Sequence, residues 1–189
     1  MSTATAAGPM TAEEFFEWAA RPENAGRRYE LEAGRAVEMP SPSELHGYVI
    51  YLILRLLVRY FDERGAGYVL SNDTGLVVAN APDTVRGPDL MGFLEDRPIE
   101  QMSRTHCARV PALVVEVLSP SDRISRTNTR IEQYLRRGVA LVWLVDPDDR
   151  TVTVYRPGEF HRVLTEDDAL TGNGVLPELS LKVASFFVK

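Results

Sequence analysis

The stretch Leu113-Val114-Val115-Glu116-Val117-Leu118, closed by the breaker Ser119-Pro120-Ser121-Asp122, decides how this chain is read. Aliphatic residues fill every position of the run but one, the pattern of an interior strand covered on both faces. Alternation sets Val114, Glu116 and Leu118 on one face, with Val115 and Val117 on the other. An ionised carboxylate in that setting is costly unless a metal, a cation or hydrogen bonds compensate it. Upstream, Pro88-Asp89-Leu90 carries a second acid into another apolar stretch. Two carboxylates delivered to one sheet by neighbouring strands suggest a metal site. With a backbone carbonyl, that of Val117, and water they suit Mg²⁺ or Mn²⁺, hard ions that prefer oxygen ligands.

Working outward, the 189 residues suffice for one full-sized core, and the 44% apolar and 25% charged content is ordinary for a globular domain. Residues 1–9 are small and polar and are expected to form a disordered tail, leaving a single domain over residues 10–189. Cys107 is the one cysteine, so an internal disulfide and a cysteine zinc cluster are excluded and a reducing compartment fits. There is no basic-then-apolar leader, and the most apolar stretch, Tyr48 to Leu54, is far too short to span a bilayer. A cytoplasmic protein without membrane association is expected. The net charge of −6 gives no global attraction to nucleic acid, which excludes a passive coating protein but leaves room for one local basic surface.

The element pattern is mixed. Thr11-Ala12-Glu13-Glu14 fits a capping box opening a short helix. Tyr29 to Met39 predicts a hairpin turning at Ala33-Gly34. Ser43 is placed to cap a long helix running to about Arg64 that is apolar nearly all round from Tyr48 to Val58, either a core helix or an oligomer contact. Strands follow near Gly75–Val78 and Asp89–Leu94, then the Glu116 strand, then a helix from about Asn128 to Arg137 closed by Gly138. Leu141–Val145 and Thr151–Tyr155 pair across Asp146-Pro147-Asp148-Asp149. A strand near Phe160–Leu164 and a short helix or strand over Val183–Phe187 complete the chain. The fold class is α/β in a mixed α+β arrangement, a central sheet flanked by helices.

Several blocks together resemble a known family. Tyr29-Glu30-Leu31 with Gly34, His46 at a helix start, Arg86-Gly87-Pro88-Asp89-Leu90, Val114 to Ser121, Gln133-Tyr134-Leu135, Gly138-Val139, Trp143 to Pro147 and Leu170-Thr171-Gly172 are similar, in the same order, to the Uma2 (DUF820) family. The resemblance runs from about Met10 to the C-terminus. It implies a restriction-endonuclease-like fold of the PD-(D/E)XK kind, a bacterial source, a homodimer, and Mg²⁺-dependent hydrolysis of DNA leaving a 3′-hydroxyl and a 5′-phosphate. Asp89 matches the acid of the PD element and Glu116 the acid of the second element. Where that element usually has lysine stands Leu118. Where many members supply a lysine from the next helix, this chain has Arg130, four residues before Tyr134. Arginine stays protonated at every working pH, so it can hold phosphate or stabilise developing charge but cannot accept a proton from water.

Glu30 and His46 are further candidates for the site, against the plainer readings of an exposed strand acid and a helix-start histidine. Arg123, Arg126, Arg136 and Arg137, together with Arg130, face only Glu132 as a counter-charge in their segment. They are candidates for phosphate contact, the alternative being a solvated helix face. For Glu116 the plain alternative is a strand-end carboxylate paired with an arginine. Three functions compete: a metal-dependent DNA endonuclease, a catalytically silent member binding nucleic acid or a protein partner, and a metal hydrolase of small phosphorylated substrates.

Overall fold

The computed structural model describes residues 8–120 and 122–188. The tail expected over residues 1–9 therefore lies, for residues 1–7, outside the described residues, as does Ser121 of the breaker.

Thr11 opens α1 (Ala12–Ala19) through the expected capping box, its hydroxyl accepting from the Glu14 N–H while the Glu14 carboxylate accepts from the Thr11 N–H. The hairpin follows as β1 (Arg28–Glu32) and β2 (Arg35–Met39). Ser43 caps α2 (Glu44–Arg64). The next strands are β3 (Tyr68–Leu70), β4 (Leu76–Ala79), β5 (Thr84–Arg86), β6 (Leu90–Phe93) and β7 (Leu113–Val117). Then come α3 (Ile124–Arg137), β8 (Leu141–Asp146), β9 (Thr151–Tyr155), β10 (Arg162–Leu164), β11 (Ala169–Thr171) and β12 (Ser180–Lys182). Val183–Phe186 is a short 3-10 helix.

The main sheet has the order β10-β9-β8-β7-β6-β3 and a smaller one the order β2-β1-β5-β4. All neighbours in the main sheet run antiparallel except β7 and β8. That parallel pair is joined by α3, since parallel strands need a crossover connection. Every residue of β7 is buried, as its near-continuous apolar pattern requires. One face packs Leu113, Val115 and Val117 against Val49, Ile53, Leu57 and Phe61 of α2. The other packs Val114 and Val142 against Ile131 and Tyr134 of α3. A third cluster, Phe15, Leu31 and Val85, fixes α1 to the smaller sheet.

The long helix is more one-sided than its sequence suggests. Val49, Leu52, Ile53 and Leu57 are buried, while Leu45, Tyr48, Tyr51 and Val58 stay exposed on the other side. α3 begins at Ile124, earlier than Asn128, and Arg123 at its N-cap makes no side-chain capping bond. Gly138 ends it in the left-handed conformation that a residue without Cβ adopts freely. Among the described residues no helix is long and apolar enough to cross a membrane.

Candidate active site

The register of β6 against β7 brings the acids together. Leu90 of β6 pairs with Val115 of β7, so Asp89, one residue before β6, falls opposite Glu116. Asp89 is tied to the Glu116 strand by the Val117 N–H, which donates to its Oδ2 at 2.7 Å. Both acids are buried, at 6% and 8% exposure. They sit in a cleft of about 370 Å³ that is also lined by Arg28, His46, Asp73 and Arg130.

His46 reaches this cleft because Ser43 caps α2 by accepting from the His46 N–H, which fixes the histidine in the first helical turn. Its Nε2 lies 3.4 Å from Asp89 Oδ2, and its Nδ1 is buried without a hydrogen-bond partner among the described residues. The hydrogen bond to Asp89 raises the imidazole's pKa, partly against the cost of burial.

Glu116 points toward α3, as alternation along β7 demands. Thr127, Arg130 and Tyr134 recur at helical spacing on the face of α3 turned to the sheet. Arg130 Nη2 donates to both carboxylate oxygens of Glu116, at 2.9 and 3.1 Å, and the fully buried Tyr134 donates its hydroxyl to Oε1. Burial nevertheless pushes the Glu116 carboxyl up to about 7; Arg130 pulls it down and the Asp89 charge adds to the rise. The same burial raises the Tyr134 phenol, and the Glu116 charge raises it further, so Tyr134 stays a donor.

Glu30 sits at 4% exposure and is the anion of a network instead of an exposed strand acid. Arg86 Nη1 meets its Oε2 at 2.9 Å, Arg130 Nη1 meets Oε1 at 3.0 Å, and the Gly87 N–H donates to Oε1 at 2.9 Å. Arg86 also donates from Nε to Gln133 Oε1 at 2.8 Å. Gly87 leaves little room beside it, since a Cβ there would lie 3.1 Å from the Cβ and carbonyl of Asp73.

The arginines of α3 have different surroundings. Arg123 and Arg126 are exposed and line a second trough, between α3 and the β1–β2 hairpin, that also touches Glu30 and Arg130. Arg136 pairs with Glu132 in solvent. Arg137 donates to the carbonyls of Val77 and Ala108, at 2.9 and 2.6 Å, and so ties α3 to β4.

Sequence reasoning did not single out Arg28, Asp73, Arg86 or Gln133. Asp73 lies in the turn Asn72-Asp73-Thr74-Gly75 and reads there as an ordinary turn acid. In the structure it is ion-paired with Arg28 at 2.6 Å, and burial raises its pKa. Nothing in the one-dimensional pattern marks Arg28 or Asp73, although Arg86, three residues before Asp89, and Gln133 stand inside blocks already noted.

A divalent cation asks for oxygen donors, and Mg²⁺ commonly takes one or two carboxylates with the remaining positions filled by water. Asp89 and Glu116 fit that donor set, and Asp89 Oδ1 receives no hydrogen bond among the described residues. No group of three or more His, Cys, Asp or Glu side chains forms a metal cluster among the described residues.

The fold and site thus define a mixed α+β protein with two buried acids, Asp89 and Glu116, on neighbouring strands of its main sheet, the second of them held by Arg130. The Uma2 family model, described as "Putative restriction endonuclease", matches residues 12–184, and the chain belongs to that family. Among solved structures it is similar to "a putative nuclease belonging to DUF820" from Anabaena variabilis, at 23% identity and a TM-score of 0.76. That match covers 95% of this chain and 98% of the other, which supports the shared mixed α+β fold. Among curated proteins none matches the chain.

Proposed function

We propose that this protein is a metal-dependent endonuclease hydrolysing phosphodiester bonds of DNA. The observation that carries the reading is the opposition of Asp89 and Glu116 across β6 and β7, in an open cleft that Arg28 and Arg130 also line. Asp89 and Glu116, with the carbonyl of Val117, are the groups that would hold Mg²⁺ or Mn²⁺. Once bound, such an ion supplies acidification of an attacking water and neutralisation of charge on the phosphate.

The chain's own residues prepare the site. The Val117 N–H fixes the Asp89 carboxylate, and Tyr134 fixes that of Glu116. His46 sets an N–H donor beside Asp89 at the cleft wall. Arg28 and Arg130 supply positive charge for a phosphate inside the cleft, while Arg123 and Arg126 extend it along the neighbouring trough. Such local contacts suit an acidic protein, because phosphate binding depends on nearby cations and not on net charge. The exposed Leu45, Tyr48, Tyr51 and Val58 on α2 support a homodimer through that helix.

The test is incubation with supercoiled plasmid and with a short single strand, in Mg²⁺, in Mn²⁺ and in EDTA, with Asp89→Asn and Glu116→Gln purified alongside. Metal-dependent nicking that both variants lose is the expected result. Nicking by either folded variant at the wild-type rate refutes the assignment.

A second reading is a weakened or retired nuclease that binds nucleic acid or a protein partner. It is favoured by the position of Arg130, which rests on both oxygens of Glu116 where a proton-accepting lysine is absent. Arg130→Lys separates the two: a gain in cleavage favours the weakened enzyme, and a loss makes the arginine a working part.

A further inference from the structure

Glu116 already has a cation. One guanidinium nitrogen of Arg130 faces both of its oxygens, and the Tyr134 hydroxyl takes a further lone pair of Oε1. Arg130 is held from its other side by Glu30, 3.0 Å from Nη1. Glu30 cannot follow if Arg130 moves, because Arg86 and the Gly87 N–H pin it to the smaller sheet. The side chain of Arg130 is 16% exposed, so it borders the cleft and is not sealed in the core. Asp89 differs, for its Oδ1 receives no donor among the described residues.

A metal ion binds through lone pairs directed at it; N–H and O–H donors take up three of the four lone-pair sites of Glu116, and the Arg130 charge sits against both oxygens. A lysine could leave such a position by giving up its proton, whereas a guanidinium stays charged and has to move. We propose that Arg130 is a built-in competitor of the divalent cation: guanidinium and metal exclude one another at Glu116, and Glu30 retains the arginine when it leaves. The inference rests on the metal-dependent reading above. It assigns Arg130 a gating part, distinct from the part of the lysine it replaces, and makes Glu30 a positioning residue. A guanidinium released from Glu116 becomes available to a phosphate in the cleft.

The test is titration of Mn²⁺ into the full chain at pH 8.5 under nitrogen, with free Mn²⁺ read by electron paramagnetic resonance. The readout needs no cleavage. Arg130→Gln is expected to bind Mn²⁺ about tenfold tighter than wild type, the scale on which one neighbouring charge shifts an ionic equilibrium. Glu30→Gln is expected to bind it more weakly, because Arg130 is then left with Glu116 as its only acid partner. Asp89→Asn is expected to bind none. Circular dichroism checks folding, and if Arg130→Gln fails to fold, Arg130→Lys, which cannot span both acids, takes its place with a smaller gain expected. If wild type binds Mn²⁺ through Asp89 but neither Arg130 variant binds it tighter, the competitor role is overturned and the metal reading stands. If no variant binds Mn²⁺ at Asp89, the metal reading falls and the competitor role falls with it.

Discussion

Replacing Arg86 by methionine tests the most buried part of the network. Arg86 and Glu30 side chains are 6% and 5% exposed and meet at 2.9 Å. Removing one partner of a buried ion pair costs about 3–5 kcal/mol, because the other charge is left behind in the interior. Glu30 would keep Arg130 and the Gly87 N–H, which puts the expected loss at the low end, about 3 kcal/mol. The second acid near Arg86, Glu32, is 48% exposed and 3.3 Å away, so it adds little. In urea, with a slope of about 2 kcal/mol per molar, that loss lowers the unfolding midpoint by about 1.5 M. The assay is equilibrium unfolding of wild type, Arg86→Met, Glu30→Gln and the double variant, followed by tryptophan fluorescence and circular dichroism. Residues in contact do not act independently, so the double variant should cost clearly less than the sum of the singles. A strictly additive double variant, or a loss below about 1 kcal/mol for Arg86→Met, would refute the claim that this pair pins Glu30 within the smaller sheet.

Other outcomes follow from the same geometry. Since burial raises Glu116 from 4.5 to about 7, the native state binds more protons than the unfolded one between those values. Stability should therefore fall as pH rises through that window, and Glu116→Gln should flatten the fall in thermal midpoint. His106 behaves in the opposite sense: burial lowers its pKa, it stacks on Phe15 at 5.5 Å, and its Nε2 has no partner among the described residues. Its contribution is intact above the unfolded value of 6.5 and should be lost on acidification below it, a loss that His106→Leu should remove in unfolding curves taken at several pH values. Ser43→Ala should cost about 1 kcal/mol through the lost helix cap. It should also loosen His46, detectable as broadening of its imidazole resonances; an unchanged resonance would mean that the cap does not position this side chain.

The long, strongly patterned elements were legible in the sequence. Helices α1 and α2, the β1–β2 hairpin, β7 and the β8–β9 hairpin lie where capping residues, alternation and turn chemistry place them. The strands that escaped notice, β3, β5, β11 and β12, have three residues each, too few to display a period. The early start of α3 escaped for another reason: Ser125 and Thr127 are poor helix formers, and no side-chain cap marks the true beginning. At the site, the anomaly of an acid inside an apolar strand was visible in one dimension, as was its partner after Pro88. Of the groups that answer the anomaly, Arg130 was named from the sequence, but its bonds to both Glu116 and Glu30 were not legible there. Arg86 comes from β5, Gln133 and Arg130 from α3, and only the register of β1 against β5 and the packing of α3 on the sheet bring them to Glu30 and Glu116.

Arg130 joins Glu30 on the smaller sheet to Glu116 on the main one, and this has an evolutionary side. Any descendant of this chain that stopped cutting nucleic acid would still be selected to keep Glu30, Arg86, Glu116 and Arg130, because losing one strands a buried charge and weakens the join between the sheets. Within such a lineage, invariance at these four positions records the need to fold, and it persists after the chemistry has gone.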